Sequence, residues 1–518
     1  MKENSATSAN ENSAFKELGL KKSIEELKME VQELYQSDQI PWVIGYSGGK
    51  DSTASLQIVW LALQELPKNK LHKKVHVIST DTMVENPIVA SWVSNSLNQI
   101  QISAAEQGLP IIPHRLTPEL KDSFWVNLIG KGYPAPRHKF RWCTERLKIN
   151  PSNKFIRDTI RSHGEAILVL GMRKAESSAR RAVMKKNEKG SRIKQKLSVN
   201  GSLPNAFVYN PIGPWTNDDV WLFLMQSKNP WGYNNSDLLT MYQGASADGE
   251  CPLVVDTTTA SCGDSRFGCW VCTMVEQDKS MSAMIQNDAE KEWMMPLLKL
   301  RNKLDFRDAN LDSTKPAEND RRLRDFRRMN GSVQIFKGRA IHGPYLQETR
   351  ATWLRELLEA QTWIRKNGPE EVRDLELISL DEINEIRRIW VVEKHEMEDL
   401  LPQVYEDATG EKFPGRQLDE LAFGAAEMEI LAEICGENQL DYELTRELLD
   451  IERRYLSKAK RRGLYDDVEK AFRRHFYSDE KDAIDFALRK KKGHDDAEGL
   501  EIDLSAKALT KLEEEASK

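Results

Sequence analysis

The chain has 518 residues, of which 40% are hydrophobic and 30% are charged. This length suggests about three domains or one large domain with appendages, and the composition excludes wholesale disorder. The 75 basic and 81 acidic residues give a net charge of −6, which excludes a globally basic nucleic-acid binder but allows local basic patches. Six cysteines are too few for a disulfide scaffold. The longest apolar stretches are too short to span a bilayer.

The first twenty residues are interpreted as a disordered leader. Their first fourteen positions are polar and lack the apolar stretch that a secretory signal needs. Together with the cysteine usage, this predicts a soluble protein of the cytoplasm that makes no contact with a membrane. An amphipathic pattern over residues 23–35 then predicts a first helix.

Short apolar runs alternate with longer helical patterns through the first half of the chain. Because this alternation is typical of right-handed crossovers between parallel strands, we expect a doubly wound α/β domain over residues 21–245. Thr216, followed by Asp219 at the capping-box spacing, predicts the start of a later helix in this domain. The predicted strands are Trp42–Tyr46, Val75–Ser79, Ile111–Pro113 and Ala166–Leu170, and the predicted helices are 53–65 and 88–106.

The composition of the chain changes twice after this domain. Residues 246–285 have the glycine, serine, threonine and cysteine content of a loop region. Residues 286–518 are charged and patterned as helices, without further strand–helix alternation. We expect this mainly helical region to dock partner proteins.

A turn with two glycines follows the first predicted strand and has the sequence Ser47-Gly48-Gly49-Lys50-Asp51-Ser52-Thr53. The glycines allow a polyphosphate to approach the backbone, and the helix that follows offers free N–H groups at its N-terminus. Lys50 adds a cation, and Asp51 is a candidate Mg²⁺ ligand because an acid without a metal would repel phosphate. The Walker pattern requires Ser or Thr directly after Gly-Lys, so this is a different phosphate loop. The alternative is an ordinary strand–helix turn capped by serine.

This turn resembles the pyrophosphate loop (PP-loop) of the N-type ATP pyrophosphatases, which cleave ATP to AMP and pyrophosphate. Further segments resemble the phosphoadenylyl-sulfate (PAPS) reductase branch of that family, in the family's order. They are Ser79–Pro87, which departs from the family at Met83 where glycine is preferred, Cys143–Pro151, Gly171–Arg180 and Pro214–Trp221. The resemblance implies ATP and Mg²⁺ as cofactors, with nucleotide contacts from residues 47–53, Asp81, Gly171 and Arg173.

Arg173 follows the predicted strand at 166–170, at the edge of the sheet where α/β proteins bind ligands. This position favours a contact with phosphate, and the alternative is a solvated surface arginine. Preorganised cations stabilise the phosphates during phosphoryl transfer, so Lys50 and Arg173 are predicted to be catalytic, together with Asp51.

Four of the six cysteines fall within 22 residues, at Cys251, Cys262, Cys269 and Cys272. In a reducing compartment such a group holds tetrahedral zinc or an iron–sulfur cluster. A zinc ribbon would show two C-x2-C pairs and this segment has one, which favours a [4Fe–4S] cluster over zinc or buried free thiols. The segment resembles the sulfurtransferases of the bacterial DNA phosphorothioation (Dnd) systems, which are cluster-containing ATP pyrophosphatases. The resemblance implies that sulfur replaces a non-bridging oxygen of a DNA phosphate.

Cys143 lies outside this group and is flanked by Arg141, Arg146 and Lys148. Nearby positive charge lowers the pKa of a thiol, so Cys143 is a candidate nucleophile that relays sulfur, and the alternative is a buried core residue. Cys435 lies in a helical run and is predicted to be part of a core.

Basic residues are concentrated between positions 173 and 196, where ten basic residues accompany two acidic ones. This segment is predicted to bind the DNA backbone, and the alternative is a solvated face. A second cluster at 321–328 is a further candidate for nucleic-acid contact, and a third at 458–462 suits protein contact equally well; for each of these two a solvated face is an equal alternative. The predicted DNA-binding residues are Arg180, Arg181, Lys185 and Lys186.

The favoured function is ATP-dependent sulfur transfer onto the DNA backbone. As the resemblance implies, a DNA phosphate oxygen attacks the α-phosphorus of ATP, pyrophosphate leaves, and sulfur from a cysteine desulfurase then displaces AMP. The implied partners are DNA, the desulfurase, and the ATPase and DNA-binding components of a phosphorothioation system. The alternatives are a PAPS or adenylyl-sulfate reductase, a tRNA thiolation enzyme, and a non-catalytic scaffold that senses nucleotides.

Overall fold

The computed structural model describes residues 13–138, 140–175, 196–245, 268–306, 316–415, 424–436, 438–456, 458 and 460–490. The chain divides into two compact units. Unit 1 comprises Met1–Phe124, Pro136–Leu304 and Asn367–Asp374, and unit 2 comprises Trp125–Ala135, Asp305–Lys366 and Leu375–Lys518. Residues 125–135 thus fall in unit 2, and residues 286–304 fall in unit 1.

Among its described residues, unit 1 has a six-stranded sheet with the order β3-β2-β1-β4-β6-β5. The strands are β1 Trp42–Gly45, β2 Val75–Thr80, β3 Ile111–Leu116, β4 Ala166–Val169, β5 Ser198–Val199 and β6 Ala206–Tyr209. Strands β1, β2, β3, β4 and β6 pair in parallel, and β5 pairs antiparallel with β6. Ile44 in β1 lies opposite Val77 on one side and Val169 on the other. The predicted doubly wound α/β fold is therefore confirmed.

Helices cover both faces of this sheet. Strand β1 shows the two faces directly, because Trp42 and Ile44 belong to the larger apolar core while Val43 belongs to a smaller core with Ile156. Strands that are buried on both faces are typical of parallel sheets. The helices of unit 1 are α1 Gly19–Gln36, α2 Lys50–Gln64, α3 Pro87–Gln107, α4 Asn150–His163, α5 Asn217–Gln226, α6 Asn235–Gly244, α7 Lys279–Asn287 and α8 Met295–Leu304.

The predicted helix start at Thr216 is confirmed. Its hydroxyl accepts a hydrogen bond from the Asp219 N–H at 3.1 Å, and the Asp219 carboxylate accepts one from the Thr216 N–H at 2.8 Å. The four predicted strands are also present. Strand β6 at 206–209 was missed, because a four-residue apolar run without a clear helical pattern beside it gives little periodic signal.

The predicted disorder of residues 1–20 is wrong for residues 13–20. Phe15 is buried and packs edge-to-face against Trp215, with ring centres 5.1 Å apart. The Ser13 hydroxyl donates to the Asp219 carboxylate at 2.5 Å. The packing of Phe15 and the hydrogen bond to Asp219 therefore hold residues 13–20 in place, although their polar composition is typical of a flexible leader. Residues 1–12 lie outside the described residues.

Unit 2 is mainly helical, as predicted. Two tryptophans tie its first segment to the rest of the unit: the Trp125 indole donates to the Leu377 carbonyl at 2.8 Å, and the Trp390 indole donates to the Ile129 carbonyl at 3.0 Å. Its α-helices are α9 Pro316–Arg322, α10 Gln347–Asn367, α11 Leu380–Arg388, α12 Leu401–Thr409, α13 Ala425–Cys435, α14 Gln439–Leu456 and α15 Leu464–Arg474, and its short strands are β7 Ile335–Phe336 and β8 Arg339–Ala340. In the described part of the chain, no helix combines the length and apolarity needed to cross a bilayer.

Candidate active site

Two of the predicted site segments meet at the edge of the sheet where the parallel strands end. Residues 47–49 follow β1, and residues 171–173 follow β4, which is the strand beside β1. In the sheet, β2 and β3 lie on one side of β1, whereas β4 and β6 lie on the other side. The direction in which successive strands are added therefore reverses between β1 and β4. Doubly wound sheets bind their ligands in the crevice at such a reversal.

The turn after β1 has the compact geometry expected of a phosphate loop. Gly48 has a φ of +72°, and a Cβ on it would lie 2.6 Å from a Val93 methyl group, so a larger residue cannot fit without a shift. The Ser52 hydroxyl accepts a hydrogen bond from the Ser47 N–H at 3.2 Å and donates to the Gly49 carbonyl at 3.0 Å. Helix α2 begins at Lys50, directly after the turn, so its N-terminal end faces the crevice.

Gly171 is required by a close approach between the two segments. A Cβ at this position would lie 2.7 Å from the Asp51 carbonyl oxygen and 3.1 Å from the Ser52 nitrogen. Backbone atoms in the first turn of a helix cannot move aside cheaply. The glycine that the resemblance implied therefore has a packing reason in this chain.

Arg173 is a buried partner of Asp51, so the alternative of a solvated surface arginine is wrong. Its residue exposure is 4%, and its Nε donates to Asp51 Oδ1 at 2.8 Å. The second contact, from Arg173 Nη2 to Asp51 Oδ2, is longer at 3.5 Å. Lys50 Nζ lies 3.7 Å from the same Oδ2 atom and 5.2 Å from the centre of the Tyr242 ring. Two cations and one acid are thus concentrated at the loop.

The Mg²⁺ that the resemblance implies fits this arrangement through one atom of Asp51. Oδ1 accepts the short hydrogen bond from Arg173, whereas the contacts of Oδ2 with the described residues are the two longer ones. Mg²⁺ in nucleotide sites is held by one or two carboxylates together with phosphate oxygens and water. Asp51 Oδ2 is therefore the oxygen that would hold it, and the assignment of Mg²⁺ to Asp51 stays a prediction.

Asp81 lies directly after β2 and is held in place from two sides. Arg115 in β3 forms an ion pair with its carboxylate and donates from Nε at 3.0 Å. The Met83 N–H donates to the other oxygen of Asp81 at 2.8 Å. Met83 has a φ of +64°, in the left-handed region that glycine adopts without strain. This backbone conformation explains why the resembling family prefers glycine at the position where this chain has methionine.

Replacing Met83 with glycine is expected to stabilise the protein. The left-handed conformation costs a residue with a Cβ about 1–2 kcal/mol, which glycine avoids, and the entropic cost of glycine offsets about half of this gain. We expect the free energy of unfolding to rise by about 1 kcal/mol, measured by urea denaturation. Met83→Ala is the control, because alanine keeps the Cβ penalty and should give no gain. Equal stabilisation by both substitutions would contradict the explanation.

A cavity of about 300 Å³ opens beside the loop. It lies at the ends of β1 and β2, and its charged lining residues are Glu85 and Lys148. Burial raises the pKa of Glu85, while the positive charge of Lys148 opposes this shift. The volume lies at the lower end of the range of small-molecule sites. Lys148 was noted in the sequence only as a neighbour of Cys143, because nothing in its surroundings shows that it faces a cavity.

The described part of the cysteine segment lies beside the loop that follows β2. The Trp270 N–H donates to the Val84 carbonyl at 3.0 Å, so the two strands of chain run side by side. Cys269 Sγ lies 3.3 Å from the Thr82 hydroxyl oxygen. The Cys272 N–H donates to the Cys269 carbonyl at 3.0 Å and closes the C-x2-C turn. Two of the four predicted ligand cysteines therefore lie beside the loop after β2, which begins with Asp81.

The residues present fit one half of a cluster site. Burial raises the pKa of the Cys269 thiol to about 11, and coordination to iron would deprotonate such a thiol. Cys251 and Cys262 lie outside the described residues. Among the residues that the structure does describe, no three His, Cys, Asp or Glu side chains are arranged to hold a metal ion.

The structure brings Cys143 into electrostatic range of Cys272, although 128 positions separate them in the sequence. The predicted lowering of its pKa is wrong. Burial raises the pKa of Cys143, the Cys272 thiol raises it further, and Arg141 opposes the shift more weakly. Cys435, which was predicted to lie in a core, is only partly buried on α13.

Arg301 holds the loop that follows the C-x2-C turn, and sequence analysis missed it. It is completely buried, and its guanidinium donates to the carbonyls of Cys272 at 3.0 Å, Glu276 at 3.1 Å and Val275. A single arginine on a charged helix gives no sequence signal for this role. Its contacts fix the backbone on which the Cys272 thiol is mounted.

Replacing Arg301 with methionine is expected to destabilise unit 1 and loosen the cysteine loop. Hydrogen bonds to charged groups contribute about 1.5–3 kcal/mol each, so the loss of several carbonyl contacts should lower the free energy of unfolding by at least about 3 kcal/mol. Thermal unfolding and the iron content per chain measure the two effects. Arg161→Met is the control, because Arg161 is exposed. An Arg301→Met protein with unchanged stability and iron content would contradict the assigned role.

The basic segments have different outcomes. Arg180, Arg181, Lys185 and Lys186 lie outside the described residues, so their DNA contacts stay a prediction. The cluster at 321–328 is partly internal, because Arg324 and Arg327 are tied to Asp320 at 2.8 Å and to Asp325 at 2.7 Å. These two arginines therefore form neither a solvated face nor a free surface for DNA.

Comparison with known families identifies the domain that carries the loop. Residues 41–274 match the family model described as the phosphoadenosine phosphosulfate reductase domain. This segment of the chain is similar to that domain family. Residues 426–473 match a second model, described as a small protein found in certain Dnd DNA modification systems. The first match thus includes the nucleotide loop, the Arg173 segment and the C-x2-C pair, and the second match covers helices of unit 2.

An uncharacterised protein of Methanocaldococcus jannaschii is 26% identical over 263 residues, which is 51% of this chain and 42% of that protein. The chain therefore spans less than half the length of this relative. Two solved structures are similar to about half of the chain. Candida glabrata FMN adenylyltransferase with FAD and pyrophosphate has 12% identity over 48% of this chain and 68% of its own, with a TM-score of 0.24. The Methanococcus maripaludis U34-tRNA thiolase NcsA with its [4Fe–4S] cluster has 13% identity over 54% and 78%, with a TM-score of 0.25.

Proposed function

We propose that the chain uses ATP to transfer sulfur onto the DNA backbone. The observation that carries the proposal is the combination of two matches in one chain, the PAPS reductase domain at 41–274 and the Dnd-system small protein at 426–473. The positions of Lys50, Asp51 and Arg173 at the reversal of the strand order support the use of a nucleotide. The C-x2-C pair beside the same crevice supports a role for sulfur chemistry.

In the first step, a non-bridging oxygen of a DNA phosphate attacks the α-phosphorus of ATP, and the bond to pyrophosphate breaks. The N–H groups at the start of α2 and the Lys50 ammonium stabilise the charge that develops on the phosphates. Arg173 acts as a positioning residue, because it neutralises Asp51 and so leaves Lys50 available for the nucleotide. The cavity beside the loop receives the nucleoside.

In the second step, hydrosulfide attacks the adenylylated DNA phosphorus, and the bond to AMP breaks to leave a phosphorothioate. A cysteine desulfurase transfers persulfide sulfur to Cys143, and a thiol reductant releases that sulfur as hydrosulfide and is itself oxidised to a disulfide. Cys251, Cys262, Cys269 and Cys272 would hold a [4Fe–4S] cluster, which would supply electron-transfer chemistry beside the site. The pKa of Lys148 is raised chiefly by Cys269, so the Lys148 ammonium lies in electrostatic range of this thiol. It therefore holds positive charge where the anionic sulfur enters.

Mass spectrometry of nuclease-digested DNA tests this function. The chain is purified anaerobically, combined with its system partners, a desulfurase and DNA, and compared with Cys143→Ser. We expect phosphorothioate dinucleotides from the wild type and a loss of at least 90% with Cys143→Ser. Sulfur-free DNA from the intact protein and its partners would contradict the proposal, and sulfur-labelled tRNA would point to tRNA thiolation instead.

A reductase that forms sulfite from PAPS is the second candidate, since the matching family model is named for that activity. Retention of Lys50 and Asp51 in the loop favours a protein that cleaves ATP. Sulfite release from PAPS, with a thiol reductant and without ATP, would establish the reductase and exclude sulfur transfer to DNA as the main activity.

A further inference from the structure

Residues 424–490 of unit 2 have an apolar cluster of their own. Ile451 and Tyr455 of α14 pack with Ala471 of α15, and leucines of both helices surround them. The segment that matches the Dnd-system small protein, residues 426–473, covers helices α13, α14 and nearly all of α15. This C-terminal module therefore has an internal core and corresponds to a protein that exists elsewhere as a separate chain.

Helix α14 presents a stripe of acids to the rest of unit 2. Glu443, Glu447 and Asp450 are spaced by four and three residues, which places them on one face of the helix. Glu443 pairs with Arg327 at 2.5 Å, and Asp450 pairs with His395 at 2.7 Å. Burial alone would raise the pKa of Glu443, but the charge of Arg327 holds this pKa below its ordinary value. The Glu443–Arg327 ion pair and the Asp450–His395 hydrogen bond link the module to the preceding part of unit 2.

One pair on the same face has the opposite polarity. Arg446 of the module donates to Glu398 at 2.7 Å and to the Gln347 side-chain oxygen at 3.0 Å. Both ends of this pair are buried, and within the described part of the chain Arg446 Nε and Glu398 Oε2 have no hydrogen-bond partner. The module thus contributes one arginine among three acids to the contact, and this arrangement of opposite charges specifies one orientation of the module.

The contact is also not closely packed. A cavity of about 1030 Å³ lies between the module and the rest of unit 2, and its lining includes Arg327, Glu398, Glu443 and Arg446. The attraction within a buried ion pair is largely offset by the free energy needed to remove the two charges from water, so such pairs stabilise a contact only weakly. An interface that combines such pairs with a polar cavity should open more readily than a closely packed apolar one, and it should weaken as salt screens the charges.

We propose that the surface formed by Arg327, His395 and Glu398 is a docking surface for a small helical protein with the acid stripe of α14. In this chain the C-terminal module occupies that surface in cis. The contact is electrostatic and reversible, so the module is released when the ion pairs are screened or reversed.

A cleavable form of the full chain tests this inference. A protease site is placed within residues 416–423, the chain is cleaved after folding, and gel filtration follows whether the two pieces elute together. We expect one complex at 50 mM salt and at least a tenfold weaker association at 1 M salt. Pieces that stay together with unchanged affinity at 1 M salt would overturn the proposal, and so would pieces that separate at 50 mM salt.

Charge reversal provides the second arm of the test. Glu398→Arg should weaken the association at least tenfold at 50 mM salt, and Glu398→Arg/Arg446→Glu should restore most of it. Glu359→Arg is the matched control, because Glu359 is an exposed acid on α10 and its reversal should leave the association unchanged. A double variant that is no tighter than the single one would contradict a direct ion pair. If the reversed variants fail to fold, the salt dependence of the cleaved wild type still decides.

Discussion

Replacing Arg173 with glutamine is expected to reduce the cleavage of ATP to AMP and pyrophosphate by about 100-fold, the order of effect found when one preorganised group is removed from an active site. In the wild type, Asp51 Oδ1 accepts a hydrogen bond from Arg173 at 2.8 Å, while Lys50 Nζ stands 3.7 Å from Oδ2. Without the guanidinium, Lys50 is the basic side chain that the structure still places beside Asp51. We therefore expect the Lys50 ammonium to turn towards Asp51 and away from the phosphates.

The measurement is the rate of pyrophosphate release under substrate conditions in which the wild type is active. Arg161→Gln is the matched control, since Arg161 is an exposed arginine in the same unit and should give the wild-type rate. If Arg173 were only structural, Arg173→Gln would change the midpoint of thermal unfolding but not the rate of pyrophosphate release by the folded protein. A folded Arg173→Gln protein with the wild-type rate would contradict the positioning role.

Replacing Cys269 with serine is expected to remove nearly all iron and acid-labile sulfide from the anaerobically purified protein. The Cys269 sulfur lies beside the Thr82 hydroxyl, and its carbonyl closes the C-x2-C turn, so it occupies the most constrained described position of the cysteine segment. Serine keeps the size of the side chain but is a much weaker ligand for iron than thiolate. Iron and sulfide analysis with visible absorption spectroscopy measures the loss.

Two other cysteines give the controls for this experiment. Cys435→Ser should retain the full iron content, because Cys435 lies in unit 2, outside the predicted ligand set. Cys143→Ser should also keep its iron while losing sulfur transfer, which separates a relay thiol from a cluster ligand. Full iron content in Cys269→Ser would contradict the cluster assignment, and zinc in place of iron would identify the alternative metal.

The sheet and its phosphate loop could be predicted because their signals are local. Strands such as Ala166–Val169 are apolar on both faces, and the alternation of strands with helices fixes a parallel arrangement. Two glycines in a turn between a strand and a helix allow a phosphate to approach the backbone, so Gly48 and Gly49 predicted a ligand-binding loop. The capping box at Thr216 and Asp219 is likewise contained within four residues.

The parts that could not be predicted depend on contacts between residues far apart in the sequence. The burial of Arg173 against Asp51 joins positions 122 residues apart, and Arg301 reaches back to the carbonyls at 272–276. The pKa of Cys143 was predicted in the wrong direction because charges are visible in a sequence whereas desolvation is not. The cluster at 321–328 was predicted to lie on the surface because its acidic partners are not visible beside it in the sequence. One of them is Glu443, which lies on a distant helix.

The most direct test of the account is the position at which ATP is cut. The protein is incubated anaerobically with its system partners, DNA, a sulfur source and ATP labelled on the α-phosphate. We expect labelled AMP and one pyrophosphate for each phosphorothioate formed, because the α-phosphorus passes from pyrophosphate to the DNA oxygen. Labelled ADP with inorganic phosphate, or phosphorothioate formation without AMP, would contradict the account.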